Sequence, residues 1–403
     1  MMMMKTNSVL VVLLMGLVLC ACAPSTPAAT PTPADTPTLE PTPTPFYIRL
    51  QADGSGDYST LAEAVEMAPA GATIVLGLGI FQVDEPLDIG KPISLLGVGI
   101  EESAIVCEAE GYVVRFIGDG PFVAEGITFL HGGEKEGDAV IVESGVVDFN
   151  HCRFAGAVST QDESTGVGLR LLGDTTGVVQ NSVATRNDSA GILVGGQARP
   201  RLEGNSCSDN QGIGIAYLDS GGGVAHNNRC LRNMAGIHVA QQAQPTLEEN
   251  LCGANQWDGI AYWDQAGGVA RRNQSLQNEQ MGIHVNREAQ PMLEGNVCND
   301  NGRVGIAYTG DSGGLAHQNQ CSGNQMHGIL VGDQAQPRLG NNDCADNRQV
   351  GIAFFDSAGG EARQNECANN GIAGIYVAET ANPDLMDNYC HDNGEEEVRD
   401  LRP

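Results

Sequence analysis

His238 and His284 each occupy the third place of a Gly-Ile-His-Val tetrapeptide, 46 residues apart. If Ile and Val turn inward on a strand, the residue between them turns out. Both imidazoles are therefore expected on a surface, as hydrogen-bond donors to a ligand. Asp219 and Asp264, with Asp311 and Asp356 after them, follow the strands that alternate with these. Their carboxylates suit sugar hydroxyls or Ca²⁺, and their place before glycine pairs suits turns equally. This is the chemistry of binding. Bond-breaking chemistry has one other place to be sought, around the Gly156–Gly166 stretch, where Asp148, Arg153, Asp162, Glu163 and Arg170 supply carboxylates and cations. A groove collecting two of those carboxylates with an arginine is the arrangement that separates a lyase or hydrolase from a binding protein.

Cysteine raises a different chemistry. Cys207, Cys230, Cys252, Cys298, Cys321, Cys344, Cys367 and Cys390 recur in one sequence register, with Ser275 in one slot and Cys107 and Cys152 upstream. Exported proteins form disulfides, and clustered thiols bind metal. Side chains stacked in parallel do not converge as a ligand set. They read as free, buried thiols, in preference to disulfides or metal ligands. No metal or cofactor is expected, Ca²⁺ being the one ion the surface carboxylates could take.

The elements that position these groups follow from a period. Gly-Ile (once Gly-Leu) recurs at Gly168, Gly191, Gly214, Gly236, Gly259, Gly282, Gly305, Gly328, Gly351 and Gly374, in steps of 23 residues and one of 22. An Asn two before each repeat Cys runs in phase, from Asn205 to Asn388. Each unit alternates apolar residues with period 2 between Gly, Asn, Asp and Pro breakers, and contains no 3.6-residue pattern. Three short strands per unit make one coil of a right-handed parallel β-helix, an all-β solenoid. The Asn column is expected at a tight turn, in left-handed backbone, bonding the coils above and below.

Two columns show that the true unit is a pair of coils. Val194, Tyr217, Val239, Tyr262, Val285, Tyr308, Val331 and Phe354 alternate, and eight residues later Leu202, Ala225, Leu247, Ala270, Leu293, Ala316, Leu339 and Ala362 alternate in the opposite sense. Compensating volumes belong to one shared core slot, so the rings are expected inside rather than as a sugar-stacking ladder. The outward column that holds the histidines reads Leu193, Ala216, His238, Ala261, His284, Ala307, Leu330, Ala353, Tyr376. It predicts a ridged face with alanine gaps, large residues standing roughly 9–10 Å apart.

The ends differ from the repeats. Thr60-x-x-Glu63 is a capping box, and Leu61, Ala64, Val65 and Ala68 share one helical face. The spacing predicts a short plug over Thr60 to Ala68. Residues 1–21 read as an export signal, with Lys5 before the apolar run Val9 to Leu19. Residues 22–45 hold Cys22 and eight prolines, an extended tether. The β-helix is expected over 46–395, followed by a charged tail at 396–403. A net charge of −29 argues against nucleic acid and anionic lipid as partners.

Leu19-Cys20-Ala21-Cys22 resembles the lipobox of bacterial lipoproteins, which implies that Cys22 is lipidated and the protein anchored to a membrane outside the cytoplasm. Ala52-Asp53-Gly54-Ser55-Gly56-Asp57-Tyr58-Ser59-Thr60-Leu61 resembles the opening of pectinesterases. The repeats, such as Ala289-Gln290-Pro291-x-Leu293-Glu294-x-Asn296, resemble the broader pectate-lyase-like β-helix repeat family. The resemblance implies fold more than activity, since that family includes lyases, hydrolases, epimerases and non-catalytic proteins. Val147-Asp148-Phe149 keeps only a fragment of the pectinesterase catalytic motif, and no Arg-x-Trp partner accompanies it. The polygalacturonase motifs and the Asp-Pro-His-Glu of alginate epimerases are also absent. The expectation is a lipid-anchored, non-catalytic surface protein that binds polysaccharide or protein partners. Its alternative is a polysaccharide lyase or glycoside hydrolase with its site near residues 100–170.

Overall fold

A computed structural model describes residues 46–160 and 165–403. The expected signal, Cys22 and tether lie outside the described residues, as do Asp162 and Glu163. Among the described residues the chain winds as a parallel β-helix. One face is a 15-stranded sheet, the second a 14-stranded sheet, and the third is divided into ladders of 9 and 3 strands. Single parallel bridges through Val297 and Gln320 join the two ladders of the third face. Strand register repeats coil by coil: His238 lies beside Ala261, and Ala261 beside His284.

The marker glycines have a steric cause. A Cβ on Gly282 would stand 2.6 Å from the Gly305 carbonyl oxygen and 2.8 Å from Asn301 Nδ2. Coils can approach only where that atom is missing. Beyond the glycine, Ile283 and Val285 are fully buried. The paired-coil reading holds inside: Tyr217, Tyr262, Tyr308 and Phe354 are wholly buried, and so are Ala225, Ala270, Ala316 and Ala362. The hydroxyls of the three tyrosines have no hydrogen-bond partner in the protein. Among the described residues the cysteines are free thiols, buried except for half-buried Cys390. Burial pushes the Cys152 thiol up to about 12.

Asparagine builds two corners. Asn273 Oδ1 accepts from Asn250 N at 3.0 Å and from Asn250 Nδ2 at 2.9 Å. Its own Nδ2 donates to Leu247 O at 2.9 Å and to Asn296 Oδ1 at 3.0 Å. This is the expected column. The second ladder, running through Asn233, Asn255, Asn278 and Asn301 five residues further along each coil, was not anticipated. The left-handed residue is not the asparagine, as expected, but the one before it, for example Glu249, Arg272 and Gln318 in the first ladder and Arg232, Ala254 and Gln277 in the second. A left-handed residue turns the chain, and the following Asn is then aimed along the axis to bond its copies.

The helix forms as predicted, over Leu61–Met67, with Thr60 Oγ1 accepting from Glu63 N at 3.2 Å and Leu61, Ala64 and Val65 buried. Among the described residues of the stretch 156–166, Val158 pairs antiparallel with Gly137. The sheet runs past the expected boundary at 395: Glu396–Asp400 is its last strand, parallel to Ala373–Val377. The charged segment is thus part of the ladder rather than a tail beyond it. Register on the neighbouring coil overrides the poor strand propensity of consecutive glutamates.

Candidate functional site

The outward residues of the 14-stranded sheet form the face on which the histidines stand. The alanine gaps expected there are filled. Two places beyond Ala216, Ala261, Ala307 and Ala353 come Leu218, Trp263, Thr309 and Phe355, and each packs against or bonds to the outward residues of this face. Leu218 packs with Leu193 and Ala216. The Trp263 ring lies 6.0 Å from that of His238 and 6.1 Å from that of His284. Phe355 stands 5.3 Å from Tyr376 and 5.7 Å from His327. The face is therefore a continuous zigzag of large side chains. The reason is the volume compensation that operates in the core, applied to a partly exposed layer.

Three of the four expected ligand-binding residues come together here. Burial holds the His238 imidazole below its usual pKa, against the pull of the Asp264 and Asp258 charges. His284 makes two contacts, Nδ1 with Asp258 Oδ2 at 3.2 Å and Nε2 with Thr309 Oγ1 at 3.0 Å. Asp264 pairs with Arg287, whose hydrogen bond keeps that carboxyl below the usual range. The Arg287 guanidinium also lies over the Trp263 ring, 5.3 Å from its centre, a favourable cation–π distance. Beside this cluster an open groove of ≈ 440 Å³ is lined by Gln241, Gln242, Asp264, Gln265, Arg287 and Glu288. Trp263, Thr309, Asp258 and Arg287 were not anticipated. Trp263 and Thr309 could have been found two places after the outward Ala261 and Ala307; Asp258 and Arg287 carried no such positional signal.

The aspartates have structural work. Asp219 is left-handed and its Oδ2 accepts from Gly196 N at 2.9 Å, one coil back. Asp264 Oδ2 accepts from Gln241 N at 3.2 Å in the same way. Asp219 belongs to the turn column, joined to Asp264 only through Gln241, which its backbone N–H contacts. Asp311 falls outside the column, because Gly310 holds its slot. Among the described residues no three His, Cys, Asp or Glu side chains converge as a metal site.

Among the described residues, Asp148, Arg153 and Arg170 lie on three different sheets. Asp148 points outward from the 15-stranded sheet. Arg153, on the third face, pairs with Glu101. Arg170, on the 14-stranded sheet, is held by buried Asp138, Nε to Oδ2 at 2.6 Å. On that sheet Arg115 is bound by Asp88 at 2.9 Å and approached by Glu143 at 3.5 Å, with Tyr112 donating to Asp88. Each of these arginines already faces a carboxylate.

The chain belongs to the right handed beta helix region family, whose model matches residues 139–298 and 281–398. Among solved structures it is similar to the periplasmic alginate epimerase AlgG, 13% identical over 85% of this chain and 83% of that one, with a TM-score of 0.56. It is also similar to the A-module of the Azotobacter vinelandii mannuronan C-5 epimerase AlgE4, 17% identical over 85% and 92% of the two chains, with a TM-score of 0.46. At these identities the likeness is one of fold. No curated protein matches the sequence.

Proposed function

We propose that this is an extracytoplasmic β-helix protein, lipid-anchored through Cys22, that binds polysaccharide on the zigzag face of its 14-stranded sheet without cutting the chain. The observation that carries this reading is the Trp263 cluster. A partly exposed indole stands between two imidazoles, and Arg287, which lies over it, lines a groove walled by glutamines and carboxylates. Sugar rings present apolar C–H faces and polar rims, and an aromatic platform with convergent hydrogen-bonding groups fits both. The acidic chain favours neutral glycans, or acidic ones bridged by Ca²⁺. A periplasmic polysaccharide-modifying enzyme among the structural neighbours agrees with such a partner.

A glycan array run with and without Ca²⁺ tests the proposal on wild type and on Trp263→Ala, with product detection on the same polysaccharides. Binding to at least one glycan, weakened at least tenfold in the variant, is expected. Failure to bind any glycan would overturn it, and released oligosaccharide would replace it with the lyase or hydrolase alternative. Export and anchoring are tested by metabolic labelling with a fatty acid, which Cys22→Ala should abolish.

A further inference from the structure

We infer that Thr309, His284 and Asp258 form an acyl-transfer centre, with Thr309 as nucleophile, His284 as general base and Asp258 orienting the imidazole. The three lie on successive coils. Asp258 accepts from His284 Nδ1 at 3.2 Å, which puts the proton on Nδ1. Nε2 is then an acceptor, and the hydroxyl 3.0 Å away at Thr309 Oγ1 donates to it. A nucleophile bonded to a base that a third group orients is the diagnostic arrangement for covalent catalysis. Burial follows the same order: the Asp258 and His284 side chains are 10% and 13% exposed, while Thr309 is partly open to solvent. The second oxygen of Asp258 is fixed by Met281 N at 3.1 Å.

The slot before the marker glycine is apolar in most coils. The residue before the marker glycine is Asp258 here, His327 two coils beyond Met281, and Ile213, Ala235, Met281, Val304 or Val350 in other coils. The Thr309 slot holds Leu218, Trp263 and Phe355 elsewhere. The corresponding neighbours of His238 are Ile213 and Trp263, so that histidine has no such pair. Asp258 ties His284 to the Met281 backbone as Asp138 ties Arg170 to that of Val167; what sets this place apart is the Thr309 hydroxyl on the far side of the imidazole.

The substrate class rests on the glycan reading: an O-acyl ester on a bound sugar. Thr309 Oγ1 bonds to the ester carbonyl carbon and its proton passes to His284 Nε2. The carbon–oxygen bond to the sugar breaks, and His284 returns the proton to the departing alkoxide. Water, with His284 again as base, then cleaves the acyl-threonine to a carboxylic acid and restores the hydroxyl. The glycan backbone stays intact throughout.

The test uses p-nitrophenyl acetate hydrolysis and mass-spectrometric mapping of a fluorophosphonate probe on the described domain's full chain. Wild type should label on Thr309. Thr309→Val and His284→Gln should each lower the hydrolysis rate about 100-fold, as loss of a nucleophile or base does. Thr309→Ser, a less hindered alcohol, should retain or raise it, and His317→Gln, on a different sheet, should leave it unchanged. No label on Thr309, or Thr309→Val as active as wild type with its circular dichroism unchanged, would overturn the assignment. Labelling without binding to any array glycan would keep the centre and remove the glycan; binding without labelling would do the reverse.

Discussion

Tyr262 is wholly enclosed, yet its hydroxyl meets no partner. Its worth is therefore its ring. Tyr262→Ala should cost about 3–5 kcal/mol, as large aromatic deletions do, while Tyr262→Phe should be neutral or stabilising by about 1 kcal/mol, since it removes an unsatisfied buried group. Urea denaturation of both variants checks this, and a costly Phe variant would show a hidden bond. His327 is 4% exposed with an unpartnered Nδ1, and burial lowers its pKa to about 4. The unfolded chain takes up that proton near pH 6.5. The folded chain binds fewer protons between those values, so stability is full above pH 6.5 and falls as pH drops toward 4, by about 3 kcal/mol at most. In His327→Phe that part of the loss should vanish, which denaturation at pH 7 and pH 4.5 will show. At this scale the sequence was half legible. The outward place of His238 and His284 followed from alternation, whereas the Asp258 and Thr309 contacts of His284 depend on which coil faces which, a relation between residues 25 and 26 positions apart.

Strands here are short and two-sided, and what fixes their register is the corner between them. Each ladder asparagine is both donor and acceptor, and a cut propagates to both neighbours. Asn273→Ala would strip Asn250 N and Nδ2 of an acceptor and Leu247 O of a donor, all buried. A loss of about 3–5 kcal/mol is expected from several unsatisfied groups, read as a lower thermal midpoint. Elements were the most legible level. The capping box placed the helix to within a residue, and the paired volumes placed the rings inside. The second ladder escaped, although an asparagine five places after the first is visible in every coil, because no cysteine marked it. The last strand escaped for a physical reason: its glutamates carry no strand preference, and only the neighbouring coil holds them in line.

Taken whole, the molecule is a stack in which each coil touches mainly the two beside it, so its stability is a sum of local terms. The stack has two kinds of layer. One holds Val with Leu, the other a ring with Ala, as Tyr308 with Ala316 and Phe354 with Ala362. Two ring layers cannot be neighbours, for the rings would compete for one volume and their alanines would leave a void elsewhere, whereas the aliphatic layers of Leu171 with Val179 and Val194 with Leu202 do adjoin. Shortening of the alternating run is accordingly constrained. Removing residues 328–373, 46 in all, should leave a shorter cooperative fold, because Val–Leu still follows ring–Ala. Removing residues 328–350, only 23, takes away less material and should do more harm, bringing the Tyr308 layer against the Phe354 layer. Thermal melts of the two deletions decide it. If they ranked the other way, coils would be interchangeable. As the packing stands, within the alternating run a lineage of such chains can shed an aliphatic turn only together with a ring turn.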